Sequence, residues 1–179
     1  MKLMIASDLH GSALYTEQLL QAYRRERPEK LCLLGDLLYH GPRNDLPEGY
    51  APKEVISLLN AEKEHLLCVR GNCDAEVDQM VLDFPISETH QRLSAEGRTF
   101  FLSHGHHLDD LQTQTVRGDV VLSGHTHIPA KSEKEGVWFL NPGSVSIPKE
   151  NSPHGYMIYE DGRFMWKNLA GETYDTLTI

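Results

Sequence analysis

Apolar residues in this chain fall into short runs separated by polar clusters. Lys2–Ser7, Leu31–Leu34 and Leu66–Val69 are compact apolar stretches, and each predicts a buried strand. From about Ser12 to Arg25 the pattern changes: Leu14, Leu19, Leu20 and Tyr23 recur near helical spacing, with Ser12 as the N-cap. A Gly/Pro-rich loop from Gly35 to Pro52 leads to a second helical stretch through Val55, Ile56, Leu58 and Leu59. This βαβαβ order predicts parallel strands joined by right-handed crossovers.

The second half reads as mainly β. Gln91–Ser94 and Thr99–Ser103 flank the turn Ala95-Glu96-Gly97-Arg98 and predict a hairpin. Val120–Leu122, Val137–Leu140, Gly155–Tyr159 and Phe164–Lys167 are further short strands, and Asp161-Gly162 is a hairpin signal between the last two. A β-rich half after a βαβ half predicts two sheets packed face to face with helices outside. No repeat, long linker or low-complexity stretch divides the sequence, so one domain spanning residues 1–179 is expected.

Composition narrows the function classes. The longest apolar runs, such as Leu31-Cys32-Leu33-Leu34, have four residues, far from the ~20 a spanning helix needs. The apolar part of the N-terminus is too short for a secretory signal. Three cysteines, Cys32, Cys68 and Cys73, suggest no disulfide framework, which makes a reducing, cytoplasmic setting the expectation. With 17 Lys+Arg against 26 Asp+Glu, the net charge of −9 argues against a broad nucleic-acid-binding face. A small phosphate-bearing substrate remains compatible, because a bound metal can outweigh the global field.

The candidate chemistry sits where the apolar runs end. The first strand runs into Asp8-Leu9-His10, the second into Gly35-Asp36 and the third into Arg70-Gly71-Asn72. Later runs end at His104-Gly105-His106 and Gly124-His125-Thr126-His127. Ligands in open α/β sheets bind beyond the carboxyl ends of the strands, so these five segments can converge. Asp8 and His10, like His125 and His127, are two residues apart and would share one side of an extended chain, which suits joint coordination. Each pair alone is ordinary loop chemistry; the whole ordered set is not. Asn141-Pro142-Gly143 reads as a turn, Trp138 and Trp166 as core aromatics, and His65, His90 and His154 as surface or core histidines.

In order, these segments spell D-x-H, G-D, G-N-x-D, H-G-H and G-H-x-H, so the sequence resembles the calcineurin-like metallophosphoesterase family. Tyr39-His40-Gly41-Pro42-Arg43-Asn44, Gly71-Asn72-Cys73-Asp74 and Asn141-Pro142-Gly143-Ser144 look like its YfcE-type phosphodiesterase subgroup. The resemblance implies an α/β fold, a four-layer αββα sandwich of two mixed β-sheets flanked by helices. It also implies a binuclear centre: Asp8, His10 and His127 on one metal, Asn72, His104 and His125 on the other, and Asp36 bridging. Carboxylate, imidazole and amide oxygens suit divalent ions such as Mn²⁺, with Fe, Zn, Co or Ni as alternatives. The expected reaction is hydrolysis of a small phosphodiester by a hydroxide bound to the metal pair.

Candidate catalytic residues are then Asp36, Asn72, Cys73, Asp74 and His104, and candidate substrate contacts are Arg43, Cys73 and His106. Cys73 departs from the family, many of whose members have a His there that donates to the phosphate or leaving oxygen. A thiol is a weak donor, which points to diesters or good leaving groups; a merely tolerated small residue is the alternative. Asp74 would orient the absent His, so its role is open. Arg43 has the geometry to hold a phosphate oxygen or, equally, to be an exposed structural residue, and His40 shares that ambiguity. The rival functions are a phosphomonoesterase of nucleotidase type on the same site and a non-catalytic protein-interaction scaffold, since this fold also serves the retromer complex. The resemblance further implies a homo-oligomer; no membrane partner is expected.

Overall fold

Alternation along the first strand sends its side chains into two different cores. In a computed structural model, which describes residues 1–108, 111 and 114–179, strand β1 (Leu3–Ala6) directs Leu3 and Ile5 to one cluster and Met4 and Ala6 to another. Strand β2 (Lys30–Leu33) does the same, and β3 (Leu66–Cys68) lies beside it in parallel. A strand buried on both faces has no polar side, which is why these runs are almost continuously apolar.

The first sheet is ordered β11-β10-β9-β1-β2-β3, where β9 is Gly155–Glu160, β10 Arg163–Asn168 and β11 Thr173–Thr178. The chain therefore returns after its second half to pair β9 antiparallel with β1. The second sheet contains β4 (His90–Ala95), β5 (Arg98–Ser103), β6 (Val120–Leu122), β7 (Pro129–Lys134) and β8 (Val137–Pro142), in the order β4-β5-β6-β8-β7. Both sheets mix parallel and antiparallel pairs.

Between the sheets, Phe100, Leu102, Val120, Leu122 and Leu140 meet Leu3, Ile5, Met157, Tyr159 and Trp166. Helices α1 (Ala13–Glu26) and α2 (Pro52–Ala61) cover the outside of the first sheet, burying Leu19, Leu20, Tyr23, Val55 and Leu59. Ser12 caps α1 as expected, its Oγ accepting from Tyr15 N at 3.2 Å. Outside the second sheet, Phe101, Val121 and Val137 are covered, among the described residues, by Leu108 and Leu111. Two mixed sheets with helices α1 and α2 outside the first are as expected, while the second helical layer of the expected αββα order lies outside the described residues. No helix among the described residues is long and apolar enough to cross a membrane.

Two strands, β7 and β11, leave no mark in the apolar pattern of the sequence. Their sequences, Pro-Ala-Lys-Ser-Glu-Lys and Thr-Tyr-Asp-Thr-Leu-Thr, are largely polar because both are edge strands, where charge and Pro discourage further pairing. Lys131 Nζ of β7 reaches Asp175 Oδ1 of β11 at 2.5 Å, linking the two edges. Trp166 is buried as expected and its Nε1 donates to Asn141 O at 2.7 Å, whereas Trp138 is only partly buried.

Candidate metal centre

The strand-end segments meet at one edge of the sandwich through backbone pairing between loops. Past β1 and β2, Asp8 N donates to Gly35 O (3.1 Å), His10 N to Asp36 O (2.9 Å) and Gly11 N to Leu37 O (2.8 Å). Gly35 and Gly71 allow the next loop to close in: a Cβ on Gly71 would lie 2.1 Å from Asp36 Oδ1.

The backbone there is not extended, and this corrects the expectation drawn from i, i+2 spacing. Asp8 (φ 60°), His10 (46°), Asp36 (56°), His125 (68°) and His127 (62°) all lie in the left-handed region. Asp and His enter that region more readily than most residues, yet each such position costs of order 1–3 kcal/mol and persists only where its surroundings hold it. The strands have ended, and left-handed turns rather than pleat alternation aim these side chains inward.

Three imidazoles are fixed in the same way. Nδ1 of His10, His104 and His127 contacts the carbonyl oxygens of Tyr39, Leu34 and Ile147, each at 2.7 Å. A carbonyl only accepts, so Nδ1 carries the proton and donates, and Nε2 faces the site. His10 Nε2 and His127 Nε2 stand 3.2 Å apart, and His104 Nε2 is 2.9 Å from Asn72 Oδ1. Asp8 Oδ1 is 3.5 Å from His10 Nε2 and 3.3 Å from His127 Nε2. Asp36 Oδ2 is 3.7 Å from His10 Nε2 and 3.3 Å from His104 Nε2, between the two groups. Its other oxygen accepts from Cys73 N at 2.8 Å.

This donor set fits divalent cations. At most one proton can lie between His10 Nε2 and His127 Nε2, and the buried Asp8 Oδ1 has no hydrogen-bond partner; both patterns suit a cation shared among lone pairs. Among the described residues three groups fall within coordination range: Asp8 with His10 and His127, Asp8 with Asp36 and His104, and His10 with Asp36 and Cys73. Burial works against protonation of His104, but Asp36 beside it and the Asp8 charge prevail and raise its pKa to about 9. His10 is raised against burial by Asp8, while Asp8 itself, despite its burial, is held well below the usual carboxylate range by His10 and His127. The field that holds protons on these rings is the field a dication would neutralise.

The remaining expected residues fall around this centre. His125 N donates to Asp8 Oδ2 at 3.1 Å and its ring lies 5.1 Å from that of His104. The His106 ring is 5.4 Å from His104, and burial together with the His104 charge lowers its pKa. Cys73 Sγ lies in ligand range of His10 and Asp36, and burial, with the Asp36 charge, pushes its pKa up to about 12. It is a neutral thiol, and Asn72 Nδ2 donates to it at 3.3 Å. Arg43 is exposed on the cleft wall.

Asp74, open in the sequence, has a clear task. Its Oδ2 accepts from Asp36 N (2.8 Å) and Gly71 N (2.7 Å), and its Oδ1 from Leu37 N (2.8 Å). One carboxylate thereby clamps the loops carrying Asp36 and Asn72. Sequence reasoning missed a second brace. Ser144 Oγ and Ser146 Oγ both donate to Asp8 O, at 2.9 and 3.0 Å. Asn141 Nδ2 donates to Gly124 O at 2.7 Å and to Thr126 Oγ1 at 3.1 Å, fixing the loop of His125 and His127. The Asn-Pro-Gly-Ser-x-Ser run was the available signal, and its turn reading covered only half of its role.

Comparison with known proteins follows the same lines. Residues 1–161 match the model of the calcineurin-like phosphoesterase superfamily domain. The chain is 46% identical over 162 residues, 90% of this chain and 88% of the relative, to phosphodiesterase YfcE of Escherichia coli strain K12. A solved structure of that E. coli phosphoesterase superposes with a TM-score of 0.91 at 41% identity, covering 100% of both chains. Vps29 of Entamoeba histolytica, solved with Zn²⁺, has the same fold at a TM-score of 0.66 and 18% identity, over 99% of each chain.

Proposed function

Since the chain belongs to the calcineurin-like phosphoesterase superfamily, we propose that it is a metal-dependent phosphodiesterase acting on a small phosphodiester. One observation carries this: three Nδ1-anchored imidazoles and two carboxylates converge at the strand ends in ligand groups that share Asp8. The 46% identity to a phosphodiesterase favours an enzyme over a scaffold.

In this reading Asp8, His10 and His127 would hold one ion and Asn72, His104 and His125 the other, with the Asp36 carboxylate available to both. Two divalent ions, when bound, supply an activated water and offset charge on the phosphoryl oxygens. In the overall reaction a water oxygen bonds to phosphorus and one ester P–O bond breaks. A phosphomonoester and an alcohol result, the water proton ending on the leaving oxygen. The Nδ1 contacts to carbonyls keep Nε2 of His10, His104 and His127 directed inward throughout. The neutral Cys73 thiol is a poor nucleophile and a weak donor, so the leaving oxygen receives little help from it. Mn²⁺ is our choice of metal on donor chemistry. Residues 1–179 act as one domain, because β9–β11 complete the sheet begun by β1. The three free cysteines are in keeping with a cytoplasmic protein, and the family resemblance with a homo-oligomer.

The test is hydrolysis of bis(p-nitrophenyl) phosphate and a panel of aliphatic mono- and diesters, after chelation and after return of Mn²⁺, Fe²⁺, Zn²⁺, Co²⁺ or Ni²⁺. Activity on the aryl diester is expected with metal only. A chelated protein of undiminished activity contradicts the reading.

Cys73 probes the leaving-group step. Cys73→Ser should keep substantial diesterase activity, while Cys73→His should gain activity, most on poor leaving groups, toward the ~10²–10⁴-fold of a positioned acid. A Cys73→His protein with unchanged leaving-group dependence makes that position a spectator.

Protons and metal compete for the same nitrogens, so uptake has a pH signature. With His104 raised to about 9, Mn²⁺ binding near pH 7 should release protons, and affinity should climb as pH rises toward that value. Calorimetry in buffers of different ionisation enthalpy reads the release directly; none at pH 7 contradicts the assignment of His104.

A further inference from the structure

The cleft over the metal-ligand candidates carries more positive charge than a simple phosphodiester needs. It has a volume of about 1410 Å³, above the roughly 300–1,000 Å³ usual for small-molecule sites. Its wall includes Arg43 on the loop after β2, Arg70 at the end of β3, and Lys149, two residues past the carbonyl that anchors His127. Arg70 Nε donates to Asp74 O at 3.2 Å. Among the described residues the Lys and Arg side chains in ion pairs with carboxylates are Lys2, Arg24, Lys63, Lys131 and Lys167, none of them in this wall. In a chain with 26 acidic against 17 basic residues, this wall holds as many cations as carboxylates, and two of those carboxylates are already engaged, Asp36 with His104 and Cys73 N, Asp74 with the backbone N–H groups of Asp36, Leu37 and Gly71. Beyond Asp36 and Asp74, the one carboxylate in that wall is Glu76.

A phosphodiester bears one negative charge. Two dications already outweigh Asp8 and Asp36, so the three side-chain cations are not needed for the scissile group. We infer that the substrate carries a second anionic group, a phosphate or carboxylate, on one ester arm, held by Arg43, Arg70 and Lys149. This rests on the phosphodiesterase reading above. A guanidinium fork matches either group in bidentate fashion, and a lysine adds a point charge. Steering alone would speed the arrival of any anion; recognition also lowers the dissociation constant.

Three p-nitrophenyl phosphodiesters separate these cases, with a propyl arm ending in phosphate, carboxylate or hydroxyl. With metal-loaded protein, kcat/KM for the phosphate or the carboxylate arm should exceed that for the hydroxyl arm about tenfold, the scale of one charged hydrogen bond. The preference should shrink as salt rises, and the triple variant Arg43→Gln, Arg70→Gln, Lys149→Gln should lose most of it. Calorimetry gives a second reading, since propane-1,3-diol bisphosphate should bind about tenfold more tightly than propyl phosphate, and the triple variant should erase that advantage. The two anionic arms show which group is preferred. Hydrolysis of all three esters at similar kcat/KM, or an undiminished preference in the variant, overturns this inference alone. Hydrolysis of none would overturn the phosphodiesterase reading beneath it.

Discussion

Replacing Asp36 with Asn is expected to lower turnover of bis(p-nitrophenyl) phosphate by ~10²-fold or more, the loss typical of removing one strong electrostatic contact from an active site. The amide oxygen can keep the bond from Cys73 N, which Asp36 Oδ1 now accepts at 2.8 Å. The amide nitrogen then stands where Oδ2 faces His10 and His104, turning a charged acceptor into a neutral donor. Metal content should fall with activity, and the melting temperature should change little, because the side chain sits at a strand end rather than in either core. Unchanged turnover with two tightly bound ions would remove Asp36 from its bridging role.

The largest expected stability effect is at Asp74. Asp74→Ala leaves the buried N–H groups of Asp36, Leu37 and Gly71 without their acceptors. At about 1–3 kcal/mol for each buried group left unpaired, the loss should be about 3 kcal/mol or more. For a chain of this size that is a fall in melting temperature of about 6–12 °C. Asp74→Asn should fall between, since its oxygen can keep the two bonds now made by Oδ2. Activity should drop in both variants because the clamp fixes the loop of Asp36. Equal melting of wild type and Asp74→Ala would show that the loops hold without it.

The fold was legible in the sequence where physics leaves a pattern. Strands β1, β2 and β3 are buried on both faces and therefore read as apolar runs; α1 announced itself through Ser12 and its periodicity. The polar edge strands β7 and β11 leave no such trace, because their stability comes from pairing with a neighbour rather than from burial of their own side chains. At the site, the identities of Asp8, His10, Asp36, Asn72, His104, His125 and His127 could be picked from strand ends, but not how they are aimed. The left-handed backbone at five of these positions depends on bonds to distant loops, such as Ser144 and Ser146 on Asp8 O. The role of Asp74, though not its candidacy, was hidden for the same reason: its partners are backbone N–H groups, which carry no residue signature. Cys73 could be flagged only as a departure from a pattern, whereas the structure gives its environment, a half-buried neutral thiol beside Asp36.

The central claim is that this ligand set holds two divalent ions and that hydrolysis depends on both. Titration of chelated protein with Mn²⁺, following bound metal by elemental analysis and turnover of bis(p-nitrophenyl) phosphate in the same samples, tests it most directly. The account predicts saturation at two ions per chain, with turnover reaching its maximum only as the second ion binds. Full turnover at zero or one bound ion per chain would contradict it.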